Sequence, residues 1–316
     1  MKRYIVIICA IILPLTIYAQ FDTQIGHYTY LPTTFNPAAA GENDLMKVAG
    51  IYRLQFTGMT NAPRTLFFNL SSPFVIGKTR HGAGVKFMND NFGLFTSRAF
   101  EIQYCYRQPL GKGYLSIGAE LGFISIGFKG DSVNLEDLNS DYHQIDDQYI
   151  VSGEENGMNF DLALGVLYST DKWYAGLSYS HITNPTIHWG EYSTISVAGT
   201  MYVHGGYNWR LGNARKWVLQ PSAMLMTDFR AWDLSLTGMA EYNERWRFGV
   251  TYRIMSSVGI LVGLDIISGL QLGYTYEIPT SRLITKTYGS HEVYLAYGFN
   301  ILKPKRNNKY RSVRFL

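Results

Sequence analysis

Two short motifs of this chain come close to nucleotide-binding or catalytic patterns, and each lacks a required residue. Gly77-Lys78-Thr79 ends like a phosphate-binding loop, but Ser72 stands where the first glycine of that loop is needed. The run from Gly176 to Ser180 lacks the second glycine of a nucleophile elbow. The histidines show no i, i+4 pair that could hold zinc. We therefore expect no catalytic residues, no cofactor and no metal; a nucleophile and base that converge only in space are the remaining enzymatic alternative.

An acidic stretch is the next candidate for chemistry. Between Lys129 and residue 157 the acids are Asp131, Glu136, Asp137, Asp141, Asp146, Asp147, Glu154 and Glu155. The spacing of Asp137, Asn139 and Asp141 is similar to the start of a calcium-binding loop. However, Tyr142 replaces the required glycine and Gln148 replaces the bidentate glutamate. We favour a solvated acidic loop, with a weak cation site as the alternative.

The elements that must position all these side chains are β-strands. From Trp246 to Ile254, large apolar residues alternate with small or charged ones. A period of two places alternate side chains on opposite faces of a strand. The same pattern recurs along most of the chain, with aromatic residues near the ends of the runs. This is typical of a transmembrane antiparallel β-barrel, which is apolar toward lipid, polar toward its lumen and girdled by aromatics.

Alternating runs predict about 14 strands, an even number as in single-chain bacterial barrels. They lie near 46–58, 63–74, 81–90, 98–109, 113–128, 158–169, 172–182, 200–212, 216–228, 232–243, 245–255, 258–267, 269–279 and 290–301. If the first strand starts at the periplasm, the long connections 129–157, 183–199 and 279–289 all fall outside the cell. The connections 109–113, 169–172, 211–216 and 243–245 are then short periplasmic turns, as barrels require.

Composition agrees with this fold class. Aromatics make up 15% of the residues, with 24 Tyr and 31 Gly, which suits aromatic interfaces and strongly curved strands. The net charge of +4 includes no basic groove, so nucleic acid is excluded as a partner. A two-domain soluble β-protein is the alternative, but it would leave a large apolar surface unpaired.

Residues 1–19 are predicted to be a secretory signal peptide. Lys2 and Arg3 precede a short apolar run, and Ala19 stands where cleavage needs a small residue. A membrane anchor is the alternative, but the run is short for a span of about 20 residues. Cleavage would leave Cys105 as the one cysteine, which excludes an internal disulfide.

Charges of both signs fall on the polar register of the predicted strands. They are Arg53, Glu101, Arg107, Asp161, Asp233, Glu241, Arg247, Arg253, Asp265, Glu277 and Glu292. They either line a water-filled channel or pair with one another across a closed lumen.

Two segments have no place in the predicted barrel, which spans residues 46–301. Residues 20–45 form a plug-like or periplasmic segment, because Pro32 and Pro37 forbid a regular strand while the aromatics indicate packing. Residues 302–316 form a periplasmic tail with no acid and with the basic residues Lys303, Lys305, Arg306, Lys309, Arg311 and Arg314. The tail is either a docking strip for an acidic periplasmic partner or a solvated segment that is read during barrel assembly.

Several motifs resemble the PorP/SprF family of Bacteroidota. The opening run Asn36-Pro37-Ala-Ala-Ala-Gly41, after Gln24 and Tyr28, is the most specific. The first hairpin is also similar, with Arg53, Gln55, Gly58, Ala62 and Pro63, as is the end of the chain, with Gly273 to Glu277 and Gly289-Ser290-His291-Glu292.

The resemblance implies a multi-pass protein of the cell outer membrane that serves the type IX secretion system and gliding motility. It implies secretion or surface attachment of cargo that carries a C-terminal sorting domain, with periplasmic and lipoprotein components as partners. It implies no catalytic residue. A passive porin-like channel for small solutes is the alternative, and an open lumen would be its mark.

Overall fold

The computed structural model describes residues 22–42, 45–130, 153–189, 193–212, 216–267 and 269–300. Nearly all of the described chain is β-strand. The strands are β1 Leu45–Leu54, β2 Arg64–Ile76, β3 Thr79–Phe92, β4 Phe95–Leu110, β5 Gly113–Lys129, β6 Glu154–Ser169, β7 Trp173–Ser180, β8 Thr186–Trp189, β9 Ser193–Ser196, β10 Thr200–Tyr207, β11 Trp209–Leu211, β12 Trp217–Thr227, β13 Trp232–Tyr242, β14 Trp246–Arg253, β15 Ser257–Ile267, β16 Leu270–Pro279 and β17 Ser290–Asn300.

These strands form a closed antiparallel barrel, which confirms the predicted fold class. Each barrel strand pairs with its neighbours along the chain, and β10 joins β7 to β12. The first and last strands close the cylinder in register from Leu45 opposite Asn300 to Leu54 opposite His291. Counting β10 and β11 as one interrupted strand gives the 14 strands expected. Closure leaves no sheet edge, so each ladder finds partners without water.

Alternation along the strands sets the two faces of the barrel. In β14, Trp246, Phe248, Val250 and Tyr252 are exposed, and the residues between them are buried. Exposed apolar side chains on a closed barrel face lipid, whereas the buried set faces the lumen. The lumen-facing residues, rather than an apolar globular core, therefore determine what the inside of this barrel can do.

Several observed strands begin or end a few residues from the predicted boundaries, such as β6, which begins at Glu154 rather than 158, and three differences change the course of the chain. The first strand ends at Leu54 rather than 58, because Phe56 and Gly58 adopt φ of 52° and 92°, which no strand permits. The predicted outer loop 183–199 contains the additional hairpin β8–β9. The strand predicted at 200–212 is interrupted at Asn208, whose backbone N–H donates to Lys172 O at 2.6 Å.

Residues 22–42 cross the inside of the barrel, and we call them the lumen segment. Two 3-10 turns, Pro32–Thr34 and Pro37–Ala39, each begin with a proline, as a first helical position allows. No helix among the described residues is long and apolar enough to cross a membrane. The predicted signal peptide, the centre of the acidic loop at 131–152 and the tail from 301 onward lie outside the described residues.

Candidate functional site

The structure places every predicted lumen charge on the inner face. All are buried except Asp265, which is half-buried. Among the described residues these charges pair with opposite charges or with the lumen segment. The interior is therefore a set of ion-pair clusters, and three of them fix the course of the segment.

The first cluster joins three residues of the family-like motifs. Arg53 on β1 stands directly opposite Glu292 on β17 and contacts its Oε2 at 3.1 Å. The other arm of the Arg53 guanidinium contacts Glu277 Oε2 at 2.7 Å. Glu292 then accepts hydrogen bonds from the backbone N–H groups of Gly26 and His27, both at 2.8 Å. Barrel closure and retention of the lumen segment thus depend on the same carboxylate.

A second cluster lies on β3, β4 and β5. Lys86 Nζ lies 3.0 Å from Glu101 and 2.8 Å from Glu120. Gln103 also donates to Glu120 and, at 2.7 Å, to the carbonyl of Thr33 in the lumen segment. Lys86 and Glu120 are absent from the predicted lumen charges, although both alternate with apolar residues in predicted strands. The alternation of apolar and polar residues that identified Glu101 would also have identified Lys86 and Glu120.

The third cluster surrounds Arg247 on β14. Its guanidinium contacts Glu241 at 2.9 Å and Asp265 at 2.8 Å. The same group lies over the ring of Tyr30, 5.4 Å from the ring centroid. An aromatic face that meets a desolvated cation gains about 2 kcal/mol. Tyr30 therefore ties the middle of the lumen segment to the wall.

The Asn36–Gly41 run packs on bare backbone of the wall. A Cβ at Gly82 would lie 1.9 Å from Ala40 O, and one at Gly118 would lie 2.3 Å from Ala38 N. Asn36 donates to Val166 O at 3.2 Å and caps the following turn through Ala38 N. Small residues on the segment thus meet glycines on the strands, which explains why positions 38–41 of this motif are alanine and glycine.

At the end of the barrel from which β1 starts, Arg107 donates to the carbonyls of Gly41 and Glu42. At the opposite end, Asp22 contacts His181 Nε2 at 2.9 Å, and Asp161 contacts His181 Nδ1 at 2.6 Å. Burial alone would raise the pKa of Asp22, but the adjacent His181 lowers it to about 2. Burial alone would lower the pKa of His181, but Asp22 and Asp161 raise it well above 6.5. The two carboxylates therefore favour the protonated form of the imidazole.

The remaining family-like residues lie at the outer rim. Thr57 N donates to Gly289 O at 2.8 Å, and Phe56 N donates to Ser290 Oγ at 3.1 Å. A Cβ at Gly58 would meet the Tyr288 ring at 2.7 Å, so a glycine is needed there. Gln55, Ala62 and Pro63 lie in the same loop, where Gln55 N donates to Pro63 O at 2.9 Å. His291 differs from these residues because its side chain lies on the outer face of the barrel, where its Nδ1 lies 2.7 Å from Tyr274 OH.

A cavity of about 760 Å³, including the solvent at its mouth, occupies the outer half of the lumen. It is lined by Asp22 to Ile25 and Tyr28 of the lumen segment, by apolar wall residues such as Met224 and Met226, and by members of the ion-pair clusters. Among the described residues no group of His, Cys, Asp and Glu could hold a metal ion. The described contacts close the barrel and hold the lumen segment in place.

Several solved structures are similar to this chain. The CymD monoaromatic hydrocarbon channel is 12% identical over 87% of this chain and 93% of that one, with a TM-score of 0.49. The Ralstonia pickettii toluene transporter TbuX is 13% identical over 86% and 93%, with a TM-score of 0.48. The translocator domain of the autotransporter NalP from Neisseria meningitidis is 11% identical over 81% and 86%, with a TM-score of 0.39.

No curated protein sequence matches this chain. The family profile described as type IX secretion system membrane protein PorP/SprF matches residues 17–297, which include the lumen segment and all but the last residues of β17. The match confirms the resemblance seen in the motifs, and the barrel agrees with an outer-membrane location. The chain belongs to the PorP/SprF family of type IX secretion system membrane proteins.

Proposed function

We propose that this barrel is a docking component of the secretion machinery, which retains or attaches secreted cargo at the outer membrane together with a periplasmic partner. The observation that carries the proposal is the lumen segment. It crosses the barrel and is held at both ends, at one end by hydrogen bonds from Arg107 to the carbonyls of Gly41 and Glu42, and at the other by the ion pair of Asp22 with His181. A passive pore needs an open lumen, whereas a scaffold gains rigidity from a filled one.

The rim at the β1-start end supports a periplasmic docking role. Its described turns and the short strand β11 expose six basic residues and two acids. The basic residues are Lys78, Lys112, Lys172, Arg210, Lys216 and Arg245, and the acids are Asp171 and Glu244. β17 also ends at this rim with Asn300, and the sequence that follows it contains Lys303, Lys305, Arg306, Lys309, Arg311 and Arg314. Such an excess favours an acidic partner and a salt-dependent association.

The test removes tail charge without touching the barrel. Lys305, Arg306, Lys309 and Arg311 are changed to Ser, and the matched control changes Lys129, Arg230, Arg282 and Lys286, four exposed basic residues at the opposite end. We expect the tail variant to fold in the outer membrane but to lose its co-purifying partner and to reduce surface cargo. The control should keep both. Failure of the tail variant to insert would instead make the tail an assembly signal.

The porin alternative has its own measurement. Purified wild-type barrel in planar lipid bilayers should conduct little, because the lumen segment fills the middle of the barrel. A steady conductance like that of an open porin, together with normal surface cargo after tail substitution, would favour the channel and contradict the docking role.

A further inference from the structure

The lipid-facing surface of the barrel carries an unusual pair of charges. Along the described strands the outward register is uncharged, apart from Arg64 on β2, Arg98 on β4 and the facing residues Lys129 and Glu154 where β5 and β6 meet the acidic loop. Arg64 and Arg98 are both exposed. They lie near the same end of the barrel and are separated only by β3.

Strand register shows what surrounds the two arginines. Arg64 stands opposite Asn91, and Arg98 stands between Asn89 on β3 and Ser125 on β5. Arg98 Nε donates to Asn89 Oδ1 at 3.2 Å. No acid lies on these rows between β2 and β5, so the two positive charges face outward together. Adjacent strands are about 4.8 Å apart, so side chains two strands apart can converge above β3.

Immediately below these polar rows runs a line of five phenylalanines. Phe68, Phe87, Phe100, Phe123 and Phe160 stand directly opposite one another across β2, β3, β4, β5 and β6. Phe123 and Phe160 meet edge to face, with ring centroids 6.0 Å apart. Arginine on the lipid face is costly at the middle of the membrane and tolerated near its interfaces, and Arg64 and Arg98 lie near the outer ends of β2 and β4. The arginines therefore lie at headgroup level.

We propose that Arg64 and Arg98, with Asn89 and Asn91, bind the phosphate of a lipid A-type glycolipid of the outer leaflet. Guanidinium groups bind phosphate through paired charge-assisted hydrogen bonds, and the asparagine amides add neutral donors. The acyl chains of the same lipid would lie along the phenylalanine row. The leaflet follows from topology, because this end of the barrel carries the long connections 130–153 and 181–199.

The test compares R64Q/R98Q with R282Q/K286Q, which removes equal charge from the exposed outer hairpin between β16 and β17. Native mass spectrometry in detergent would follow binding of added bisphosphorylated lipid A, dephosphorylated lipid A and phosphatidylethanolamine. We expect wild type and R282Q/K286Q to bind the phosphorylated form, and R64Q/R98Q to bind it about tenfold more weakly.

Three outcomes would overturn the proposal. They are equal binding of the dephosphorylated form, equal weakening in both variants, and preference for phosphatidylethanolamine, which would make the site one for an inner-leaflet phospholipid. The single variants R64Q and R98Q serve if the double variant fails to fold, and each should weaken binding by itself.

Discussion

At the scale of single residues, buried charge is the main determinant of this lumen. Arg53 is 1% exposed and Glu292 is fully buried, so neither can exchange its partner for water. Buried pairs are costly to break because the remaining charge stays desolvated. Each member of the first cluster is thereby required by the others, which explains why residues from β1, β16 and β17 appear together in the family-like motifs.

We expect Arg53→Met to destabilise the barrel by about 3–5 kcal/mol, since it leaves the carboxylates of Glu277 and Glu292 without their cation. Urea unfolding followed by heat-modifiability on gels would measure the loss. Tyr52→Phe, at the neighbouring lipid-facing position, should change little. R53M/E277Q should be more stable than R53M; if it is not, lost packing rather than unpaired charge causes the effect.

The contact between Asp22 and His181 predicts a pH window. The contact with His181 lowers the pKa of Asp22, so ionised Asp22 stabilises the bound segment above pH 3.8. This contribution is lost as the pH falls toward about 2. The contacts with Asp22 and Asp161 raise the pKa of His181, so protonated His181 stabilises the bound segment below pH 6.5. This contribution is lost as the pH rises through the raised pKa. Hydrogen exchange at residues 22–28, corrected for the intrinsic rate, should therefore be slowest and constant between about pH 4 and 6.5. In His181→Gln exchange should be faster across that window; an unchanged rate would show that the contact is dispensable.

At the scale of elements, glycines on the strands allow the lumen segment to pack closely against the barrel wall. We expect Gly82→Ala to displace residues 40–41, because the new Cβ would lie 1.9 Å from Ala40 O. The displaced segment should raise the conductance of the purified barrel in planar bilayers. Gly238→Ala is the matched control, since a Cβ there meets nothing within 4 Å. Equal conductance in the two variants would mean that the segment shifts without opening a path.

Strands were predictable from this sequence because their signal is local. Alternation of apolar and polar residues determines register within each run, so the β14 assignment needed only residues 246–254. The site was predictable in part: Arg53, Glu277 and Glu292 stood out by type and register. The contact of His27 with Glu292 spans 265 positions along the chain, and no local pattern encodes such a contact. Positive φ values at Phe56 and Gly58 prevent β1 from continuing beyond Leu54, and composition does not reveal such φ values.

At the scale of the whole molecule, orientation rests on the asymmetry of the connections. The β2–β3 and β4–β5 turns are two residues long, whereas the β5–β6 connection spans 130–153. We expect an epitope tag inserted near Asn139 to bind antibody on intact cells, because β5 and β6 deliver that connection to the outer end. A tag placed between Gly111 and Lys112 should be detected only after the outer membrane is ruptured. The reverse pattern would invert the barrel, and with it the leaflet of the proposed lipid site.

The pairing of Glu292 with Gly26 and His27 also has a consequence for the order of assembly. The lumen segment leaves the ribosome before any strand, yet the carboxylate that holds it arrives on the last one, 266 positions later. Contacts of such sequence separation form late in folding, after the chain between them is organised. The contacts of Gly26 and His27 must therefore wait for the last strand, so this part of the lumen segment is fixed only when the barrel closes. Chains that stop before β17 should leave an open intermediate in which residues near Gly26 are sensitive to protease.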